Sequence, residues 1–203
     1  MIDAVLYINL DHRTDRKTHI LNQLSRMQFS ESIIHRIPAI YNSECGHIGC
    51  GQSHIKALQY ALIQGWDEVL ILEDDFKFLV SREVMDAYLA EAVVPWDVFL
   101  LAKGNGTYEE PVGHIQKVKR CTTTSGYIVR RHYIEVLLEN FTQSLNRMRQ
   151  QLIVYQERKP GTKFIHGVFA IDQSWSSLQK KDNFYITEPV IGTQNKSLKS
   201  DTF

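Results

Sequence analysis

The chain has 203 residues, enough for one domain with a sizeable core and short for two. Lys plus Arg and Asp plus Glu number 23 each, so the net charge is zero, which speaks against a broad basic surface for nucleic acid. Apolar residues make up 43% and charged residues 23%, as in an ordinary globular domain rather than a disordered chain.

No apolar run approaches the roughly 18 to 20 residues that span a bilayer. The N-terminus carries Asp3 and no basic flank before its apolar stretch, so no secretory signal is expected. Three cysteines, Cys45, Cys50 and Cys121, are too few and odd in number for a disulfide framework. A reducing, cytoplasmic location is the expectation.

Residues 4–8 form a short apolar run without helical period and read as a buried strand. A polar segment follows, and then Ile20, Leu21, Leu24 and Met27 fall on one helical face, with Thr14 as the expected N-cap. Residues 33–40 hold a second apolar patch interrupted by Pro38. Gly46, Gly49 and Gly51 then suggest a flexible approach loop, with Ser53 and His54 opening the next helix and Gly65 ending it. Residues 69–72 are apolar on both faces and bounded by acids, which suits the centre of a parallel sheet.

Ser81 is a second expected N-cap, ahead of a helix with Val84, Met85, Tyr88 and Leu89 turned inward. Residues 98–101 read as a strand, 104–113 as a loop and 127–129 as a strand. Ile134, Leu137, Leu138 and Phe141 give a helical stripe that continues through Leu145, Met148, Leu152 and Tyr155. Pro160–Gly161 breaks the chain, and 184–186 form a late strand. The alternation predicts an α/β domain over 1–203 with a largely parallel sheet and some mixed pairing in the second half.

Glu73–Asp74–Asp75, directly after a buried strand, is the sharpest chemical feature. Ligands of open α/β sheets bind beyond the carboxyl ends of strands. In extended chain, Glu73 and Asp75 would face one way and Asp74 the other. Carboxylate oxygens there suit Mg²⁺ or Mn²⁺, and a solvated acidic turn is the alternative. Asn9, Arg13 and Arg16 lie at or beyond the end of the first strand, where arginine forks and a helix N-terminus favour phosphate; exposed loop arginines are the plainer alternative.

Cys45, His47, Cys50 and His54 have zinc-ligand chemistry, but their spacing does not match a zinc knuckle, and no structural zinc is expected. Asp172 stands at a predicted helix start, where an N-cap is the ordinary role. No P-loop, no G-x-G-x-x-G after a strand and no G-x-S-x-G elbow is present, which weakens NTPase, dinucleotide oxidoreductase and hydrolase readings.

Four blocks in order resemble glycosyltransferase family 25, which includes lipooligosaccharide glycosyltransferases and collagen β-galactosyltransferases. They are YINLDHRTDR (7–16), GHIGCGQSHIKAL (46–58), VLILEDDF (69–76) and a looser set, TTTSGYIVRRHYIEVLL (122–138) with AIDQSW (170–175) and EPVIGTQNKSLKSD (188–201). The resemblance implies a GT-A fold, a sugar-nucleotide donor with UDP-sugar first, a galactosyltransferase-like hexose transfer, and Mn²⁺ or Mg²⁺. It places Asn9, Arg13, Arg16, Ser53, His54, Glu73, Asp74 and Tyr127 on the substrate. Asp75 and Glu73 fall at the metal, at the equivalent of the family's D-x-D motif, and Asp172 at its late acidic position, as catalytic base. Glu73 stands in the first place of that motif, and Gln194 stands near where collagen-type enzymes carry a histidine.

The implied reaction is an inverting displacement on an oxocarbenium-like centre, with a glycan or glycoprotein acceptor. Two other classes share these features. A metal-dependent nucleotidyltransferase would release pyrophosphate, and a silent binding domain on the same fold would release nothing.

Overall fold

The computed structural model describes residues 2–159 and 167–200. Pro160–Gly161 and Asp201 lie outside the described residues.

The first strand, β1 (Ala4–Asn9), is buried along its whole length. Its alternate residues serve two faces: Ala4, Leu6 and Ile8 point to one core and Val5 and Tyr7 to the other. The helix α1 (Thr14–Arg26) covers the second face with Ile20 and Leu24. After β2 (Ile34–Pro38), the long helix α2 (Gly46–Gln64) covers the first face with Ala57, Leu58 and Ala61. Then β3 (Glu68–Glu73) returns to pair with β1 on the side opposite β2, in register Ile8 with Glu73. The chain thus winds away from β1 in both directions, with α1 and α2 on opposite faces. Between the carboxyl ends of β1 and β3 lies a topological switch point, where open α/β sheets form their ligand crevice.

The remainder is β4 (Phe76–Phe78), α3 (Arg82–Ala90), β5 (Val98–Leu100), β6 (Gly106–Tyr108), β7 (Ile115–Cys121) and β8 (Gly126–Arg130). Then come α4 (Arg131–Arg158), the single turns α5 (Ile171–Ser174) and α6 (Ser176–Gln179), β9 (Phe184–Thr187) and β10 (Gly192–Gln194). The sheet order is β2-β1-β3-β8-β5-β9-β7-β6, and β10 pairs with β4 in a separate two-stranded ribbon. Strands β2, β1, β3, β5, β9 and β6 run one way, and β8 and β7 run against them. The sheet is mostly parallel in direction, as the alternating pattern predicts, with the mixed pairing in the second half.

Several local expectations are corrected. Thr14 is the first helical residue of α1; Arg13 holds the N-cap position and makes no capping bond with its side chain. The glycine segment is helix rather than loop, because α2 begins at Gly46, so Ser53 and His54 sit well inside it. The physical reason is packing. A Cβ on Gly49 would stand 2.4 Å from the Ile40 carbonyl oxygen, and one on Gly51 2.6 Å from Leu145. These glycines let α2 approach its neighbours rather than a ligand.

Residues 106–108, read as loop, form the edge strand β6 against β7. Val84 is 36% exposed rather than turned inward, while Met85 is fully buried. The Ser81 hydroxyl does accept from the Val84 amide, and Gly65 does end α2 in the left-handed conformation, with φ 75°.

Candidate functional site

Two cavities of about 130 Å³ each open at the carboxyl ends of β1 and β3, and both are walled by Cys50, Glu73 and Gln194. The first also meets Arg16, Asp74 and Asp75, together with Ile40 and Tyr41 from the segment after β2. The second meets Thr122, Thr123, Thr124, His47 and Asp172.

Asn9, Arg16, Asp74 and Asp75 form one buried network. Asn9 ends β1 and donates from Nδ2 to Asp74 Oδ2 at 2.8 Å and to the Arg13 carbonyl at 3.0 Å. Arg36 in turn donates to Asn9 Oδ1 at 3.2 Å and fixes that amide's orientation. Arg16, in the first turns of α1, bridges two carboxylates: Nη1 lies 2.7 Å from Asp74 Oδ1 and Nη2 lies 3.0 Å from Asp75 Oδ2. Asp75 Oδ1 is buried with no hydrogen-bond partner.

The expected division of the triplet is therefore replaced by another. β3 ends at Glu73, and Asp74–Asp75 lie in the turn before β4, where alternation no longer holds. Asp74 and Asp75 share Arg16. Glu73 Oε1 instead accepts from Thr124 Oγ1 at 3.0 Å and lies 3.3 Å from His54 Nε2.

The electrostatics follow that geometry. Burial, with Glu73 close by, pushes the Asp75 carboxyl up to about 7, against the pull of Arg16. Burial also raises Asp74 despite Asn9 and Arg16. Burial alone would raise Glu73 as well, but the His54 and Thr124 contacts and the Arg16 charge together hold it below the usual range. Burial raises Asp172 to about 6, and Glu73 adds to the rise. The Cys50 thiol goes well up through burial and the surrounding carboxylates.

The other expected residues take varied places. Arg13 grips Asp15 at 2.9 Å and donates from Nη1 to the Lys199 carbonyl at 2.8 Å, tying the C-terminal segment to the start of α1. Ser53 lines the first cavity, but its hydroxyl donates to the Gly49 carbonyl and accepts the Ile40 amide at 2.8 Å. It thus braces the cavity wall. Tyr127 is fully buried in β8 with its hydroxyl 3.1 Å from His54 Nδ1. It orients that ring, which orients Glu73. Asp172 is not an N-cap: Ala170 holds that position, and Asp172 stands in the first turn of α5 on the second cavity.

Cys45 packs its sulfur 3.8 Å from the Met148 sulfur, away from Cys50 and His54. Among the described residues, Cys50, His54 and Glu73 form a metal-capable group, their ligand atoms within 4.8 Å of one another. Sequence reasoning missed Thr124 and Arg36, whose roles depend on contacts 51 and 27 residues away and leave no spacing signal. It also missed the wall formed by Ile40 and Tyr41.

The residues present fit a hard divalent cation. Asp75 lines the first cavity and offers a buried carboxylate oxygen without a hydrogen-bond partner, and Mg²⁺ or Mn²⁺ takes one or two such contacts and completes its shell from a diphosphate. Among the described residues, no helix is long and apolar enough to cross a membrane.

No protein-family model and no curated protein matches the chain. Solved structures do resemble it. A glycosyltransferase involved in the glycosylation of the major capsid of PBCV-1 superposes with a TM-score of 0.50 at 10% identity, covering 98% of this chain and 95% of that one. TarS of S. aureus superposes with a TM-score of 0.53 at 13% identity, over 97% of this chain and 37% of TarS. At such identities the likeness concerns the fold. The chain has a GT-A type fold: a mostly parallel sheet flanked by helices, with its crevice at the carboxyl ends of β1 and β3.

Proposed function

We propose that this chain is a metal-dependent glycosyltransferase that moves a sugar from a nucleotide diphosphate, UDP-sugar first, to a hydroxyl of a glycan or glycoprotein acceptor. A galactosyltransferase-like transfer with inversion, as in family 25, is the specific reading. The observation that carries it is the orphaned Asp75 Oδ1 beside Arg16 in the switch-point crevice. A carboxylate oxygen and a guanidinium side by side are what a cation-bound diphosphate needs.

In this reading Asp75 holds Mn²⁺ or Mg²⁺, with Glu73 next along the wall. The ion supplies Lewis-acid stabilisation of the charge on the departing diphosphate. Arg16 keeps Asp74 and Asp75 in place and adds its own positive charge, and Arg13, at the start of α1, is the second arginine offered to the diphosphate. Ser53 and the Ile40 segment shape the nucleotide side. Thr122, Thr123 and Thr124 offer hydroxyls on the second cavity, where Asp172 stands as the base for the acceptor hydroxyl. A carboxyl near 6 can remove a proton near neutrality far better than one near 4. A single in-line displacement then needs no sugar–protein intermediate.

The experiment is product analysis with a panel of sugar nucleotides, Mn²⁺ and simple glycoside acceptors. Release of nucleoside diphosphate with a new glycoside is expected. Release of pyrophosphate would make the chain a nucleotidyltransferase, and no turnover with retained binding would make it a silent binding domain.

A further inference from the structure

Cys50 and His54 lie four residues apart on α2, so both project from one face of the helix, Cys50 onto both cavities and His54 onto the first. Glu73 faces them from the end of β3, and one ligand atom from each of the three lies within 4.8 Å of the others. Zinc with sulfur at about 2.3 Å and nitrogen at about 2.0 Å needs ligand atoms about 3.5 Å apart. His54 Nε2 and Glu73 Oε1 already stand 3.3 Å apart. His54 Nδ1 faces the Tyr127 hydroxyl at 3.1 Å and its ring stacks on that of Tyr127. The ring is thereby held so that Nε2 points at the group, as outer partners hold metal-bound imidazoles.

We propose that Cys50, His54 and Glu73 form an exchangeable site for a thiophilic divalent cation such as Zn²⁺, with Glu73 common to it and to the oxygen site on Asp75. Three protein ligands leave the fourth position open to the cavities, so the ion comes and goes rather than holding the fold together. Thiolate and imidazole select zinc over the hard ions that suit Asp75. Binding displaces the thiol proton to solvent, and the negative charge of Glu73, Asp74, Asp75 and Asp172 draws the cation in. An ion here takes Glu73 from its Thr124 contact and stands between the two cavities. Loss of transferase activity on zinc binding rests on the proposed function; the binding itself does not.

Titration of the purified chain with Co²⁺ alone tests the site. A thiolate-to-cobalt absorption band saturating at one ion per chain and removed by Zn²⁺ is expected. Cys50→Ser should abolish the band, while Cys45→Ser and Cys121→Ser keep it. Tyr127→Phe should weaken the affinity by about 10- to 100-fold through loss of the outer hydrogen bond. In wild type, Zn²⁺ should protect Cys50 from alkylation, as peptide mapping reads, which settles the matter even if the serine variant does not fold. No band in wild type, a band that persists in Cys50→Ser, or Cys50 alkylated equally with and without Zn²⁺ would overturn the site. If the band appears but zinc leaves turnover intact, the inhibitory role falls and the binding site stands.

Discussion

Arg16 holds Asp75 by one carboxylate oxygen, Nη2 to Oδ2 at 3.0 Å, and leaves the other, Oδ1, buried without a partner. An unpaired buried oxygen costs stability, and in the proposed function a metal ion would satisfy this one.

That cost gives a stability prediction with a definite sign. The Asp75 carboxyl is raised from near 4 in the unfolded chain to about 7 in the folded one. The folded state therefore binds a proton that the unfolded state loses, and stability falls as pH rises through that window. Asp75→Asn removes the ionisable group and keeps Arg16 on Asp74. It should raise the melting temperature at pH 8 and change it little at pH 4. A melting temperature lowered at both pH values would show that the carboxylate stabilises the fold.

Arg16 and Arg13 should separate. Arg16→Ala leaves two buried carboxylates without their cation, and breaking such a network costs about 3 to 5 kcal/mol. Arg13 contacts the 56% exposed Asp15 and the Lys199 carbonyl, so Arg13→Ala should lower the denaturation midpoint by less than Arg16→Ala does. It should weaken nucleoside diphosphate binding and spare nucleoside binding, by about 1.5 to 3 kcal/mol if a charge-assisted bond is lost. Equal denaturation midpoints for Arg16→Ala and wild type would show that the network carries no stability.

As the proposed base, Asp172 should set the acid limb of activity. As the base it must be ionised, so kcat/KM should rise with pH and level off above about 6. Asp172→Asn should cut turnover by about 10² to 10⁴-fold and leave donor affinity near wild type. Because Ala170 holds the N-cap, the substitution removes no cap, and its melting temperature should stay close to wild type. Near-normal turnover would move the base elsewhere.

Gly49 tests the link from packing to binding. In an exposed helix Gly→Ala stabilises by about 1 kcal/mol. Here the added Cβ meets the Ile40 carbonyl oxygen at 2.4 Å, so Gly49→Ala should destabilise by about 1 to 3 kcal/mol. The displaced Ile40 segment lines the first cavity, and nucleoside diphosphate affinity should fall with it. Unchanged affinity in a destabilised variant would uncouple the two.

What the sequence revealed followed burial. Strands β1, β3, β5, β8 and β9 are apolar runs in the sheet interior and stand out as such. Strand β7 carries Gln116, Lys117, Lys119 and Arg120 near the sheet edge, and β4, β6 and β10 are three residues each, too short for a period. The site was legible where it follows a strand end, at Asn9 and at residues 73–75. On the helices, Arg16, Ser53, His54 and Asp172 were named from the sequence, but the local structure around Ser53 and His54 was not legible. Gly46, Gly49 and Gly51 suggest a loop, and only the contacts with Ile40, Leu145 and Ile171 explain why glycines continue a helix there. The partition of the three carboxylates depended on a turn beginning at Asp74, which no alternation rule predicts.

Calorimetry of nucleoside diphosphate binding, with Mn²⁺ and with chelator, on wild type and Asp75→Asn, tests the central claim most directly. Binding should require the metal in wild type and should be lost in the variant even with Mn²⁺ present. Equal affinity in Mn²⁺ and in chelator, or an Asp75→Asn variant that binds as wild type does, would contradict it.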